Sequence, residues 1–250
     1  MMKIKRRKVM FAITVMTVNV LAAEEHSRLV ANLKAGKPQT MVTYGTSLTA
    51  VGAPWVSEMQ QILQTNYPGL LTVINSGGSG QWSQWGVSNL EAYVIAKKPD
   101  TVFIEFGIND AVLRFNCTVE QSRSNLTHMI DRILSSNSGA EIILMTMNPA
   151  IGERATSRPR LTDYYQMYRD VAKERKLKLI DHYANWELIL RQDQSLFSRY
   201  VPDGLHPGPD GCKNVITPAV LKALGFKFGQ PAAANDIHSS EKSKEVPGGK

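Results

Sequence analysis

Apolar residues along the chain fall into short, nearly continuous runs at Thr40 to Tyr44, Leu71 to Asn75, Thr101 to Phe106, Glu141 to Met147 and Leu177 to Asp181. Runs of this length and continuity predict strands covered on both faces. Between them lie segments with helical spacing: Trp55 to Thr65, Val87 to Ala96, Val119 to Leu134, Thr162 to Lys176 and Pro207 to Leu224. In Thr162 to Lys176 the stripe is Tyr165, Tyr168, Val171 and Ala172, with charged residues elsewhere. Strand and helix alternate, so right-handed crossovers predict a three-layer α/β/α domain around a five-stranded parallel sheet. Ligands of such sheets bind beyond the carboxyl ends of the strands, so any chemistry is expected in the residues immediately after each run.

The two ends of the chain break this pattern. Lys3, Lys5, Arg6, Arg7 and Lys8 precede the uncharged stretch Val9 to Ala23, and Glu24 and Glu25 close it beside small residues. This reads as a secretory signal over residues 1–23, cleaved near Ala22 or Ala23, because 15 apolar residues fall short of the roughly 20 that span a bilayer. An uncleaved anchor is the competing reading. From Pro231 the chain is small, polar and without apolar periodicity, which reads as a flexible tail over residues 230–250. Residues 24–229 are then one domain, outside the cytoplasm in a secreted or periplasmic setting, with no stable membrane association after cleavage.

Removing the leader also changes the charge argument. The formal charge is +7, from 29 basic and 22 acidic residues. Without the five basic residues of the leader, 24 face 22 and the excess is +2. Nothing in the domain interleaves aromatic and basic residues for nucleic acid. The five histidines are scattered and show no metal-ligand spacing. Neither a metal nor any other cofactor is implied. Cys117 and Cys212 are the two cysteines; an exported protein permits a disulfide between them, and two separate buried thiols are the alternative.

Four polar, glycine-bearing segments come after strands: "GTSLT" (Gly45 to Thr49), "SGGSGQW" (Ser76 to Trp82), "GIND" (Gly107 to Asp110) and, past a long excursion after the fifth strand, "PDGLHPG" (Pro202 to Gly208). Ser47 alone reads equally as a helix N-cap, part of a phosphate turn or a nucleophile. A serine hydroxyl needs a base to become nucleophilic, and an imidazole held by a carboxylate is the usual one. Asp203 and His206 are three residues apart, on one side of a tight turn. Backbone N–H groups of Ser47 and Gly80 and the Asn109 amide are candidate donors to an oxyanion. "GGSG" has neither the Rossmann spacing nor the Walker lysine, and "GTSLT" lacks the second glycine of the G-x-S-x-G elbow.

Taken in order, Ser47, Gly80, Asn109 and His206 with Asp203 resemble the four blocks of the SGNH hydrolases, the GDSL esterase/lipase family, over about residues 40–224. The resemblance implies a flavodoxin-like SGNH fold with Ser47, Asp203 and His206 catalytic and Ser47, Gly80 and Asn109 forming the oxyanion hole. It departs from the family at Thr46, where Asp is common, which bears on how the serine turn is pinned. Trp82, Trp85 and Arg154 are candidate substrate-binding residues, against a core role for the tryptophans and a solvated loop role for Arg154 and Arg158. The expected activity is an exported serine esterase acting through an acyl-enzyme on short esters, foremost O-acetyl groups of carbohydrates, with a small-molecule or oligosaccharide ester as substrate. Lysophospholipid or thioester hydrolysis is the alternative within the family, and a non-catalytic carbohydrate-binding module on the same fold is the alternative outside it. A flavodoxin-like cofactor carrier lacks its phosphate loop. Residues 148–160, after the fourth strand, are expected to overhang the active edge.

Overall fold

The computed structural model describes residues 27–227; the expected leader and tail lie outside them. Five strands, β1 (Gln39–Gly45), β2 (Leu71–Asn75), β3 (Thr101–Glu105), β4 (Glu141–Thr146) and β5 (Lys178–Asp181), form one parallel sheet in the order β2-β1-β3-β4-β5. This is the predicted sheet, with strand ends moved by one residue at most. Successive side chains point to opposite faces. Met41, Phe103, Ile143 and Met145 therefore enter one hydrophobic layer, and Val42, Tyr44, Val102, Ile104, Ile142 and Leu144 enter the other.

Helices α1 (Arg28–Lys34) and α2 (Pro54–Asn66) cover the first face, while α3 (Ser83–Tyr93) and α5 (Val119–Ser136) cover the second, with the single turn α4 (Gly107–Asp110) between them in sequence. After β4 come the short α6 (Glu153–Thr156) and α7 (Leu161–Arg175), whose Met167, Tyr168, Val171 and Ala172 pack on the second face. The excursion after β5 is helical, α8 (His182–Gln192) and α9 (Gln194–Tyr200), and the closing segment Pro209–Ala223 contains a π-helical turn at Cys212–Ile216. Sequence reasoning missed α1, α8 and α9. α1 and α9 are only seven residues long, too short for a clear helical period, and Leu29, Trp186 and Phe197 are buried by tertiary packing.

Because β2 and β3 flank β1 on opposite sides, the chain reverses its direction of winding beside β1, which opens a crevice at the carboxyl ends of β1 and β3. A carboxylate is built into its floor. Glu105 ends β3 opposite Gly45 and is 2% exposed. It accepts from the Thr46 N–H at 2.7 Å, the Thr46 hydroxyl at 2.9 Å and the Thr49 hydroxyl at 2.8 Å. A Cβ on Gly45 would sit 2.4 Å from its Oε1, so the residue there can have no side chain. Burial pushes the Glu105 carboxyl up to about 7 in spite of those hydrogen bonds.

Cys117 and Cys212 are separate free thiols, both buried, and burial pushes each up to about 12. His182, at the start of α8, is fully buried with neither ring nitrogen hydrogen-bonded among the described residues, and burial lowers it to about 4.

Two outcomes are expected. Glu105→Ala strands three donors in the core and lowers unfolding free energy by about 3 kcal/mol or more, with Glu105→Gln costing less, as urea denaturation will measure. His182 refuses, when folded, a proton that the unfolded chain binds below about 6.5. Stability is thus lost as pH falls from about 6.5 toward about 4, and His182→Leu flattens that limb in urea titrations at pH 7 and pH 5.

Candidate active site

The turn after β1 is held from several sides. The Leu48 N–H donates to the Thr46 hydroxyl, and the Trp55 indole N–H of α2 donates to the Leu48 carbonyl at 2.8 Å. The Asn75 amide at the end of β2 donates to the Thr49 carbonyl. These bonds account for the departure at Thr46. In place of an acid beside the serine, a hydroxyl donates to an acid on the neighbouring strand. The carboxyl is thereby placed under the turn, at Glu105.

Ser47 points at the second segment that the fold delivers. Its Oγ is 2.9 Å from His206 Nε2, across 159 residues of chain. His206 Nδ1 is 2.7 Å from Asp203 Oδ2. Asp203 Oδ1 accepts from the backbone N–H groups of Leu205 at 3.0 Å and His206 at 2.7 Å, so one oxygen shapes the turn and the other is left for the imidazole. Gly204 has φ of +74°, and its Cβ position faces the Ile151 carbonyl at 3.0 Å, so glycine is required inside this turn. Desolvation works against ionisation of Asp203, but hydrogen bonds from His206 and Leu205 outweigh it and hold the carboxyl down at about 2.

The glycine-rich segment and "GIND" are bound to one another. Asn109 Nδ2 donates to the Gln81 carbonyl at 2.8 Å, and Asp110 accepts from the Ser83 N–H at the start of α3. The Ser122 hydroxyl of α5 also donates to Asp110, and burial raises that carboxyl to about 6. Gly80 adopts φ of +72°, the left-handed region that turns its peptide. Neither the Ser47 nor the Gly80 backbone N–H has an acceptor among the described residues.

Residues 148–160 reach over this edge and touch both halves of it. The Ile151 N–H donates to the Gly204 carbonyl and Asn148 Nδ2 to the Leu205 carbonyl. Arg154 lies 3.6 Å from Asp203, both half exposed. Arg158, in contrast, is 7% exposed and donates to the Ile108 carbonyl and to Asn109 Oδ1. An open cavity of about 640 Å³ adjoins this region, lined by Ile151, Gly152, Glu153, Arg154, Ser157, Asp203 and Gly204.

The two tryptophans separate. Trp82 stacks on Phe115 with ring centroids 5.1 Å apart, and the Arg114 guanidinium lies over Phe115. Trp85 packs against Tyr44, Tyr93 and Phe106 and belongs to the hydrophobic layer of the second face. Sequence reasoning read Asp110 as a turn-stabilising residue but passed over Glu105 and the internal task of Arg158. For Glu105 a signal was present: a lone acid in an otherwise buried strand is rare unless its oxygens are used.

Residues 42–213 match the family described as GDSL-like Lipase/Acylhydrolase. An acetylxylan esterase of Geobacillus stearothermophilus is 25% identical over 221 residues, covering 78% of this chain and 98% of that one. An arylesterase of Vibrio mimicus is 27% identical over 65% of this chain and 80% of its own length. Thioesterase 1/protease 1/lysophospholipase L1 of Escherichia coli K12 is 23% identical over 71% and 79%. The crystal structure of Axe2, an acetylxylan esterase from Geobacillus stearothermophilus, superposes with a TM-score of 0.65 at 26% identity, over 78% of this chain and 97% of that one. With the matched region reaching from β1 past His206, the chain belongs to the GDSL-like Lipase/Acylhydrolase family, the SGNH hydrolases, and is a serine hydrolase of ester bonds.

Proposed function

We propose that Ser47 is the nucleophile, His206 the general base and then acid, and Asp203 the group that orients His206. The observation that carries this is the continuous Ser47–His206–Asp203 hydrogen-bond chain, 2.9 Å and 2.7 Å long in its two links. Asp203, held at about 2, is ionised at neutral pH and accepts the Nδ1–H. Nε2 of the neutral imidazole then takes the Ser47 proton as Oγ attacks the ester carbonyl. The electron pair displaced onto the carbonyl oxygen stays there, and that oxyanion accepts hydrogen bonds from the Ser47 and Gly80 N–H groups and the Asn109 amide. His206 returns the proton to the leaving alcohol, and water repeats the sequence on the acyl-enzyme.

The substrate class in this reading is a short acyl ester of a polar alcohol, foremost O-acetyl on carbohydrate. Glu153, Arg154, Ser157 and Asp203 line the cavity together with Ile151, Gly152 and Gly204, so charged and hydroxyl groups are available there to a hydroxyl-rich alcohol. The Trp82–Phe115 stack adds a flat apolar surface next to Gln81, whose carbonyl holds Asn109. Similarity to an acetylxylan esterase over most of both chains supports the same class. The basic, then apolar, then small-residue order of residues 1–23 supports export to the periplasm or beyond. Among the described residues no helix is long and apolar enough to cross a membrane.

Hydrolysis of p-nitrophenyl acetate, butyrate and octanoate, with acetylated xylo-oligosaccharide in parallel, tests the substrate. Acetate is expected to lead, with acetate also released from the sugar; octanoate leading would favour a lipid acyl hydrolase. Ser47→Ala is expected to lower kcat by about 10⁴-fold or more, and equal rates would remove Ser47 from the mechanism. Intact mass of protein recovered from the periplasm or medium is expected to place the mature N-terminus near residue 23 or 24; retention of residues 1–23 would refute cleavage.

A further inference from the structure

Arg158 is a charged side chain in a place where charge is costly. It is 7% exposed and forms no salt bridge among the described residues. Its donors go to neutral oxygens: Nε to the Ile108 carbonyl at 2.9 Å, Nη1 to the Arg154 carbonyl and Ser157 hydroxyl at 3.1 Å, and Nη2 to Asn109 Oδ1 at 3.3 Å. Burial disfavours the charged form most, Tyr165 works in its favour, and Arg154 and Arg114 stand near enough to add repulsion. A buried cation without a counter-ion is strongly unfavourable. A hydrophobic residue or glutamine would fill such a position at lower cost.

The position of the unpaired charge suggests what it is for. Asn109 is gripped at both ends of its amide, with Oδ1 accepting from Arg158 and Nδ2 donating to the Gln81 carbonyl. Its second Nδ2 proton is left for the oxyanion. A guanidinium on Oδ1 draws electron density from the amide and strengthens the N–H donors on the other side. It also fixes which way the amide faces, because a flipped Asn109 would aim an NH₂ group at a guanidinium.

We propose that Arg158 is a positioning residue for the oxyanion hole, acting through Asn109, and that its missing counter-charge is the oxyanion formed in the reaction. This inference rests on the assignment of Ser47 as nucleophile and Asn109 as oxyanion donor. In the ground state the carbonyl oxygen has only a partial charge, and the buried cation is poorly compensated. As the tetrahedral intermediate forms, a full negative charge appears beyond the Asn109 amide, and the interaction with Arg158 grows with it. Stabilisation that appears only in the transition state raises kcat and leaves KM nearly unchanged.

The test compares wild type, Arg158→Met, Arg158→Lys, Asn109→Ala and the Asn109→Ala/Arg158→Met double variant. Steady-state kinetics use p-nitrophenyl acetate, and inhibition constants are measured for phenylboronic acid, whose Ser47 adduct is tetrahedral and anionic. Arg158→Met is expected to lower kcat by about 100-fold, with KM within about twofold and boronate affinity reduced in step with kcat. In the Asn109→Ala background the same substitution is expected to matter little, since the route to the oxyanion is already cut. A purely structural Arg158 would reduce the active fraction, leave boronate affinity unchanged and add its full effect to that of Asn109→Ala. Those results, or a wild-type kcat in Arg158→Met, overturn the proposal. If Arg158→Met does not fold, Arg158→Lys decides by the same readouts: it keeps the charge without the planar fork, and a smaller kcat loss matched in boronate affinity is expected. Ser47→Ala separates the two levels of inference, since its retaining activity refutes the site itself, whereas an inactive Ser47→Ala beside a fully active Arg158→Met refutes Arg158 alone.

Discussion

The Glu105 carboxyl is the fixed point around which this edge of the molecule is arranged. One acid at the end of β3 gathers a backbone N–H and two hydroxyls from the turn after β1, so residues 46 and 49 on either side of Ser47 are referred to the neighbouring strand. The arrangement explains two residue choices that look arbitrary in isolation. Gly45 has no side chain because the carboxyl fills the space where one would be, and Thr46 has a hydroxyl because an acid there would oppose Glu105 at hydrogen-bond distance. A buried carboxyl with its acceptor sites occupied favours one backbone geometry over its neighbours, and close positioning of this kind is what the attack proposed for Ser47 requires.

A second constraint comes from the loop after β4. Its first residues grip the Asp203–His206 turn through Asn148 and Ile151, and its last grips Asn109 through Arg158. The loop thus spans the crevice from the Asp203–His206 turn to Asn109. The Phe106 N–H donates to the Tyr168 hydroxyl, and the Tyr165 hydroxyl donates to the Asn148 carbonyl, so α7 braces both ends of the same span from below. Four segments widely separated in sequence are in this way held as one unit by side chains, with few of the bonds coming from regular secondary structure.

The carboxylates of the site differ because their surroundings differ. Glu105 and Asp110 lose their water and are raised to about 7 and about 6, whereas Asp203, partly exposed and rich in N–H donors, stays at about 2. Acid in the interior supports the backbone, and the ionised acid at the surface is left to face the imidazole. That division is set by burial and by the N–H donors each carboxyl meets.

The sheet was legible in the sequence because buried parallel strands must be apolar on both faces, which leaves an unbroken signal in runs such as Glu141 to Met147. The order of the four polar segments was equally legible, since chemistry in an α/β sheet collects after the strands. Helices α8 and α9 were not, because Trp186 and Phe197 gain their partners only when the chain after β5 folds back. Nor were the tasks of Glu105 and Arg158, whose partners lie 59 and 49 residues away, or the parting of Trp82 from Trp85. Local sequence by itself determined the architecture, the family resemblance and the residues worth watching, because periodicity and short motifs are properties of neighbouring residues. Which side chains meet, which charges lose their water and which oxygen faces which donor was decided by tertiary structure alone, because distances between remote segments exist only after the sheet has closed over its core.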